Sequence, residues 1–181
     1  MTRFGSMLAA AAALAVLSFS PAHAQEFVGR YSGFNEVGAL NNESGSIFSD
    51  GKGLLELTLD KAAGTLTYKL TYSDLGSAVT QAHIHFGKPH VAGAIMVFFC
   101  SNLSSAPAGT QACPASAGTV TGTITATDVR PIPTQNVSAG DFEALVAALE
   151  SHTAYGNIHT VNFPAGEIRA DIERRERDHE R

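Results

Sequence analysis

Residues 65–72 read Thr-Leu-Thr-Tyr-Lys-Leu-Thr-Tyr, and no other stretch limits the fold as tightly. In an extended chain Leu66, Tyr68, Leu70 and Tyr72 fall on one side, and Thr65, Thr67, Lys69 and Thr71 on the other. A period of two marks a strand with one buried face. The preceding run, 51–59, carries Leu55, Leu57 and Leu59 in the same phase. Between the two runs Asp60-Lys61-Ala62-Ala63-Gly64 is a turn sequence. Together they predict an antiparallel hairpin laid on a core.

Extended patterns fill most of the remaining chain. Further strands are predicted at 27–34, 79–86, 93–99, 118–127, 156–161 and 167–172. The run Ala94-Ile95-Met96-Val97-Phe98-Phe99 is apolar throughout, which predicts a central strand buried on both faces. In the last strand Ile168, Ala170 and Ile172 share one face, and Glu167, Arg169 and Asp171 the other. A single helix interrupts this series. Ser138 is its expected cap, with Asp141 as the acidic partner of a capping box. Phe142, Leu145, Val146 and Leu149 form its apolar stripe, which predicts a lid across an open end of the sheets. About eight strands and one short helix in a long connection predict an all-β, Greek-key β-sandwich of the superoxide-dismutase-like or immunoglobulin-like class.

The N-terminus predicts export. Arg3 is followed by an apolar stretch over 7–17, and Ala22-His23-Ala24 fits a small-x-small cleavage site, so residues 1–24 are expected to be a signal peptide. The stretch is too short and Ala-rich for a membrane anchor, and no later run is long enough to span a bilayer. The domain is then expected over 25–172, followed by a charged tail over 173–181. Without Arg3 the chain keeps 11 Lys and Arg against 17 Asp and Glu, a formal charge of −6. That balance gives no electrostatic footprint for nucleic acid. The two cysteines, Cys100 and Cys113, flank a segment rich in Ser, Ala, Gly and Pro. An exported loop of this length favours a disulfide, with a pair of thiolate metal ligands as the alternative.

The chemistry concentrates in histidine. In Ala82-His83-Ile84-His85 the two imidazoles share a strand face, about 6.5–7 Å apart along the strand. His159, in a second strand-like run, is the natural third ligand. Three histidines with an open fourth position suit copper, or zinc as the alternative. Copper(II) binds nitrogen donors more tightly than the other divalent first-row ions. His90, on the loop after Gly87-Lys88-Pro89, is a candidate fourth ligand. Glu36 and Glu167 are candidate carboxylates behind a ligand histidine. The competing expectation is architectural, with His83 and His85 paired to Glu36 and Glu167 in a buried polar network. His152 is expected to cap the helix C-terminus.

Two motifs in this order resemble the CHRD domain family, first named in chordin. They are Ala82-His83-Ile84-His85 and the stretch from His159-Thr160 through Phe163-Pro164-Ala165-Gly166-Glu167-Ile168-Arg169. Asn35-Glu36-Val37 resembles the family's Asn-Glu-Val-Pro opening, with Gly38 in place of proline. The Cys100-Ser101-Asn102-Leu103 and Ala112-Cys113-Pro114 ends of the cysteine loop resemble bacterial members. The resemblance implies a single exported domain, periplasmic or secreted, and leaves its biochemical role open. Two roles follow: a metal-binding module, or a module for an extracellular or periplasmic protein partner. Catalysis has little footing. The chain lacks a Gly-x-Ser-x-Gly elbow, a phosphate loop and a dinucleotide fingerprint. A superoxide-dismutase-like activity would need more histidines in order than the chain has.

Overall fold

The computed structural model describes residues 24–37 and 45–176. Residues 1–23 of the expected signal peptide, Gly38 and the end of the charged tail lie outside the described residues. Among the described residues nine strands form two antiparallel sheets that pack face to face, with one α-helix. The five-stranded sheet has the order β6-β3-β2-β1-β9 and the four-stranded sheet the order β5-β4-β7-β8. The strands are β1 (Gln25–Tyr31), β2 (Lys52–Asp60), β3 (Thr65–Ser73), β4 (Val79–Phe86), β5 (Ala94–Ser101), β6 (Gly118–Ile124), β7 (Ala154–Thr160), β8 (Ile168–Asp171) and β9 (Glu173–Arg174). β7 returns to lie beside β4 after β6 has crossed to the other sheet, which is a Greek-key path.

The predicted hairpin is β2-β3, in register from Lys52↔Ser73 to Asp60↔Thr65. Its turn is fastened by Ala63 N–H donating to Asp60 Oδ1 at 2.9 Å, and Gly64 supplies the left-handed residue at φ 64°. Leu55, Leu57, Leu59, Leu66 and Leu70 are all buried from this pair. Each contributes roughly 1.5–3 kcal/mol of transfer free energy relative to leaving it exposed. The facing sheet supplies Ala82, Ile84, Ile158, Ile168 and Ala170 to the same core.

Several boundaries differ from those the sequence predicts. β1 stops at Tyr31, because a 3₁₀ turn over Gly33–Asn35 follows, capped by Ser32 Oγ accepting from Phe34 N–H. β6 ends at Ile124, where a second 3₁₀ turn, Ala126–Asp128, begins. β5 is an edge strand and not a central one. Its apolar run is explained by what covers the edge: Arg130 N–H donates to Met96 O and Ser101 N–H to Gln111 O. The helix α1 (Phe142–Glu150) starts three residues later than a Ser138 cap would set it. Its cap is Asp141, whose side chain accepts from Ala144 N–H. Leu145, Val146 and Leu149 are buried as the stripe predicts. His152 follows the C-cap Ser151 with a left-handed backbone, φ 57°. Glu173 and Arg174, assigned by composition to the charged tail, pair with Val28 and Phe27 of β1 as exposed strand β9.

Cys100 and Cys113 form a disulfide with a Cα–Cα separation of 5.0 Å. It closes a loop of 13 residues' separation against the edge strand β5. Reducing it, or replacing both cysteines by serine, is expected to lower unfolding free energy by about 3 kcal/mol. Urea titration of the oxidised and reduced domain checks this.

Candidate metal centre

β4 turns Ala82 and Ile84 into the core, so His83 and His85 point to the opposite face of the four-stranded sheet. Such a face is commonly open to solvent. Here segments 32–37, 87–93 and 161–167 cover it, and His83, His85 and His159 are 0%, 8% and 7% exposed. β7 lies next to β4 in the register Gln81↔His159, His83↔Asn157 and His85↔Tyr155. On the other side β5 shifts register between Ala82 and His83 and again between Ile84 and His85. One irregularity precedes each histidine, and the first sets Phe98 opposite His83.

The three side chains converge. One ligand atom from each of His83, His85 and His159 lies within 4.8 Å of the other two. His83 packs edge-on against His159, His85 and Phe98, at centroid distances of 4.8, 5.0 and 4.8 Å. Backbone carbonyls hold two of the rings: His85 Nδ1–H donates to Gly93 O at 2.8 Å and His159 Nδ1–H to Pro164 O at 2.9 Å. Those bonds fix the tautomer and place the lone pair of each ring on Nε2. His83 Nδ1 then donates to His85 Nε2 at 3.1 Å. Among the described residues the buried Nε2 atoms of His83 and His159 have no hydrogen-bond partner. Buried polar atoms are rarely left so. Two orphaned lone pairs beside His85 Nε2, which accepts only from a fellow member of the cluster, make a donor set that suits a cation.

Electrostatics keeps the lone pairs available. Burial holds His83 well below the ordinary histidine value, and the neighbouring His159 and His85 push the same way. Burial brings His85 down to about 4, against the raising effect of its Gly93 bond. Burial lowers His159 as well, opposed by its bond to Pro164. All three imidazoles are therefore neutral at pH 7. Unfolding returns each to about 6.5, so between pH 6.5 and 4 the unfolded chain binds more protons. Stability is fully present above pH 6.5 and is lost as pH falls toward 4. His85 alone accounts for about 3 kcal/mol of that loss. Thermal melts of the metal-free domain from pH 7.5 to 4 check the slope.

The remaining candidates sit elsewhere. His90 is exposed on the 87–93 loop, at φ 60°, and is not part of the cluster. Glu36 is buried, but accepts from Val37 N–H at 2.9 Å and from Asn157 Nδ2 at 2.5 Å. Glu167 Oε1 accepts from Ser49 Oγ and Gly76 N–H, and its Oε2 from Thr160 Oγ1. Neither carboxylate bonds a histidine, so the carboxylate–histidine network weighed above is absent among the described residues. Carbonyls at Gly93 and Pro164 occupy that orienting position. Gly93 is needed there because a Cβ would overlap the Phe86 carbonyl.

Three supporting residues escape a reading for ligands. Tyr155 stacks on His85, with centroids 4.7 Å apart and planes 5° from parallel. The Arg169 guanidinium sits 3.4 Å over the Tyr155 ring, 1% exposed. Arg169 donates to Val91 O at 3.1 Å and to Lys88 O at 3.2 Å, tying down the loop whose Gly93 holds His85. Asn157 ties Glu36 to the Ile168 carbonyl. The available signal was phase: Tyr155 and Asn157 alternate with His159, and Arg169 lies on the polar face of β8.

A family model described as CHRD domain matches residues 30–172. No curated protein and no solved structure matches the chain.

Proposed function

The chain belongs to the CHRD domain family, and on that premise we propose that it is a metal-binding module whose ion is copper, held by His83, His85 and His159. One observation carries the reading: the buried, partnerless Nε2 atoms of His83 and His159 beside His85. Copper leads because imidazole suits it and it heads the first-row affinity order, with zinc as the alternative. An exported module, cleaved after Ala24, would meet copper outside the cytoplasm, and the Cys100–Cys113 disulfide fits an oxidising compartment. Its task is to buffer, carry or sense the ion. Among the described residues no helix is long and apolar enough to cross a membrane.

The test is elemental analysis and copper calorimetry on the untagged mature protein. One equivalent is expected, lost in His83→Ala and His159→Ala proteins that keep their β-sheet circular dichroism. Bound ion should raise the melting temperature in proportion to the logarithm of free metal. Because burial holds the imidazoles low, copper binding is expected to persist at pH 6, below the ordinary histidine value. No stoichiometric binding by the wild-type protein would remove the reading.

A second reading is an extracellular interaction module with architectural histidines. Its supporting observation is an exposed aromatic pair, Phe34 at 63% and Phe48 at 91%, in edge contact at 6.3 Å. On that reading His83→Ala destabilises the fold equally with and without metal.

A further inference from the structure

The surroundings of the three histidines bear on the oxidation state of the ion, an inference that rests on the metal-binding reading. We propose that the site is cuprous: His83, His85 and His159 hold copper(I) in preference to copper(II) or zinc(II).

The donors are uncharged. Among the described residues no carboxylate hydrogen-bonds or ion-pairs with any of the three rings, and both cysteines are in the disulfide. The two carboxylates the sequence offers as partners, Glu36 and Glu167, bond other groups. An ion here keeps its full charge. The rings are 0–8% exposed, so that charge is largely removed from water. The self-energy of a buried ion grows as the square of its charge, so a dication costs about four times what a monocation does.

A buried positive charge stands behind His85. Arg169 lies over Tyr155, and Tyr155 stacks on His85. Its ion-pair partner Asp171, at 3.6 Å, is 36% exposed and so partly screened by water. A buried guanidinium repels a dication twice as strongly as a monocation at the same distance. Geometry points the same way. Copper(II) favours tetragonal sets of nitrogen and oxygen donors. The cluster offers three imidazoles, and the fourth candidate, His90, is outside it.

The experiment uses the full mature chain without a tag. Copper(I) affinity is measured anaerobically by competition with bicinchoninate, copper(II) by competition with nitrilotriacetate, and zinc(II) with a zinc fluorophore. We expect one equivalent of copper(I), bound at least about 100-fold more tightly than copper(II), a difference of about 2.7 kcal/mol. X-ray absorption of the copper(I) protein is expected to read imidazole nitrogens only. Copper(II) or zinc(II) bound as tightly as copper(I), at a 1:1 site lost in His159→Ala, would overturn the cuprous assignment and leave the metal site standing. Absence of 1:1 binding by all three ions would overturn the metal-binding reading, and the cuprous assignment with it.

Discussion

Replacing Arg169 by methionine is expected to lower the unfolding free energy by about 4 kcal/mol, in the range seen when one member of a buried charged set is removed. The side chain is 1% exposed and does several things at once. It donates to the Val91 and Lys88 carbonyls, ion-pairs with Asp171 and covers the Tyr155 ring. Methionine restores much of the volume but none of the donors, so two carbonyls lose their partner and Asp171 its cation. The damage has a direction. Segment 87–93 loses its anchor, and Gly93, which holds His85 Nδ1, sits on that segment. Copper(I) affinity should therefore fall even where the variant is fully folded, because loss of the His85 anchor outweighs relief of the Arg169 repulsion, which is smallest for a monocation. Denaturant titration gives the first quantity. Copper competition under conditions where the variant is folded gives the second. An Arg169→Met protein with wild-type stability would contradict this account of the loop.

Removing the carboxylate of Glu167 should be comparably severe. Glu167→Ala is expected to cost about 4–5 kcal/mol, from three bonds to a carboxylate acceptor at roughly 1.5 kcal/mol each. Its two oxygens gather Ser49, Gly76 and Thr160, which come from three separate parts of the chain. The side chain is fully buried, so water does not replace it. Glu167→Gln keeps the shape but exchanges one acceptor for a donor facing other donors, and it should recover less than half the loss. Equilibrium unfolding of both variants checks the order. Metal affinity of the folded Glu167→Gln protein should remain near wild type, because no bond from Glu167 reaches a histidine.

These two residues show what the Glu167-Ile168-Arg169 motif contributes. It is a clamp around the centre, with Ile168 in the core between two polar anchors on the other face. The sequence made the alternation of β8 plain, because period two is visible in four residues. It did not disclose which loops the anchors would grip, since those partners are backbone carbonyls, and any residue has one. The same limit explains the carboxylates. Glu36 and Glu167 looked like partners for histidine by residue type, yet Gly93 O and Pro164 O took that role. The convergence of His83, His85 and His159 was legible from phase and motif. Their burial was not, because it comes from loop segments laid over a sheet face, and a loop carries no periodicity that would place it there. The edge position of β5 was hidden for a related reason: a continuous apolar run reads alike in a central strand and in an edge strand covered by loops.

The pairing of β1 with β9, and of Ser32 with Arg169, joins the start of the domain to its end. Neither β1 nor the covered face of the four-stranded sheet is finished until residues near 170 are available. Contacts of such sequence separation slow folding, since the loop must close before its pairings repay the entropy. The domain is therefore expected to remain unlocked during synthesis until the residues near 170 are free to pair. A chain ending at 166 would lack β8 and β9, and with them the outer neighbours of β7 and β1.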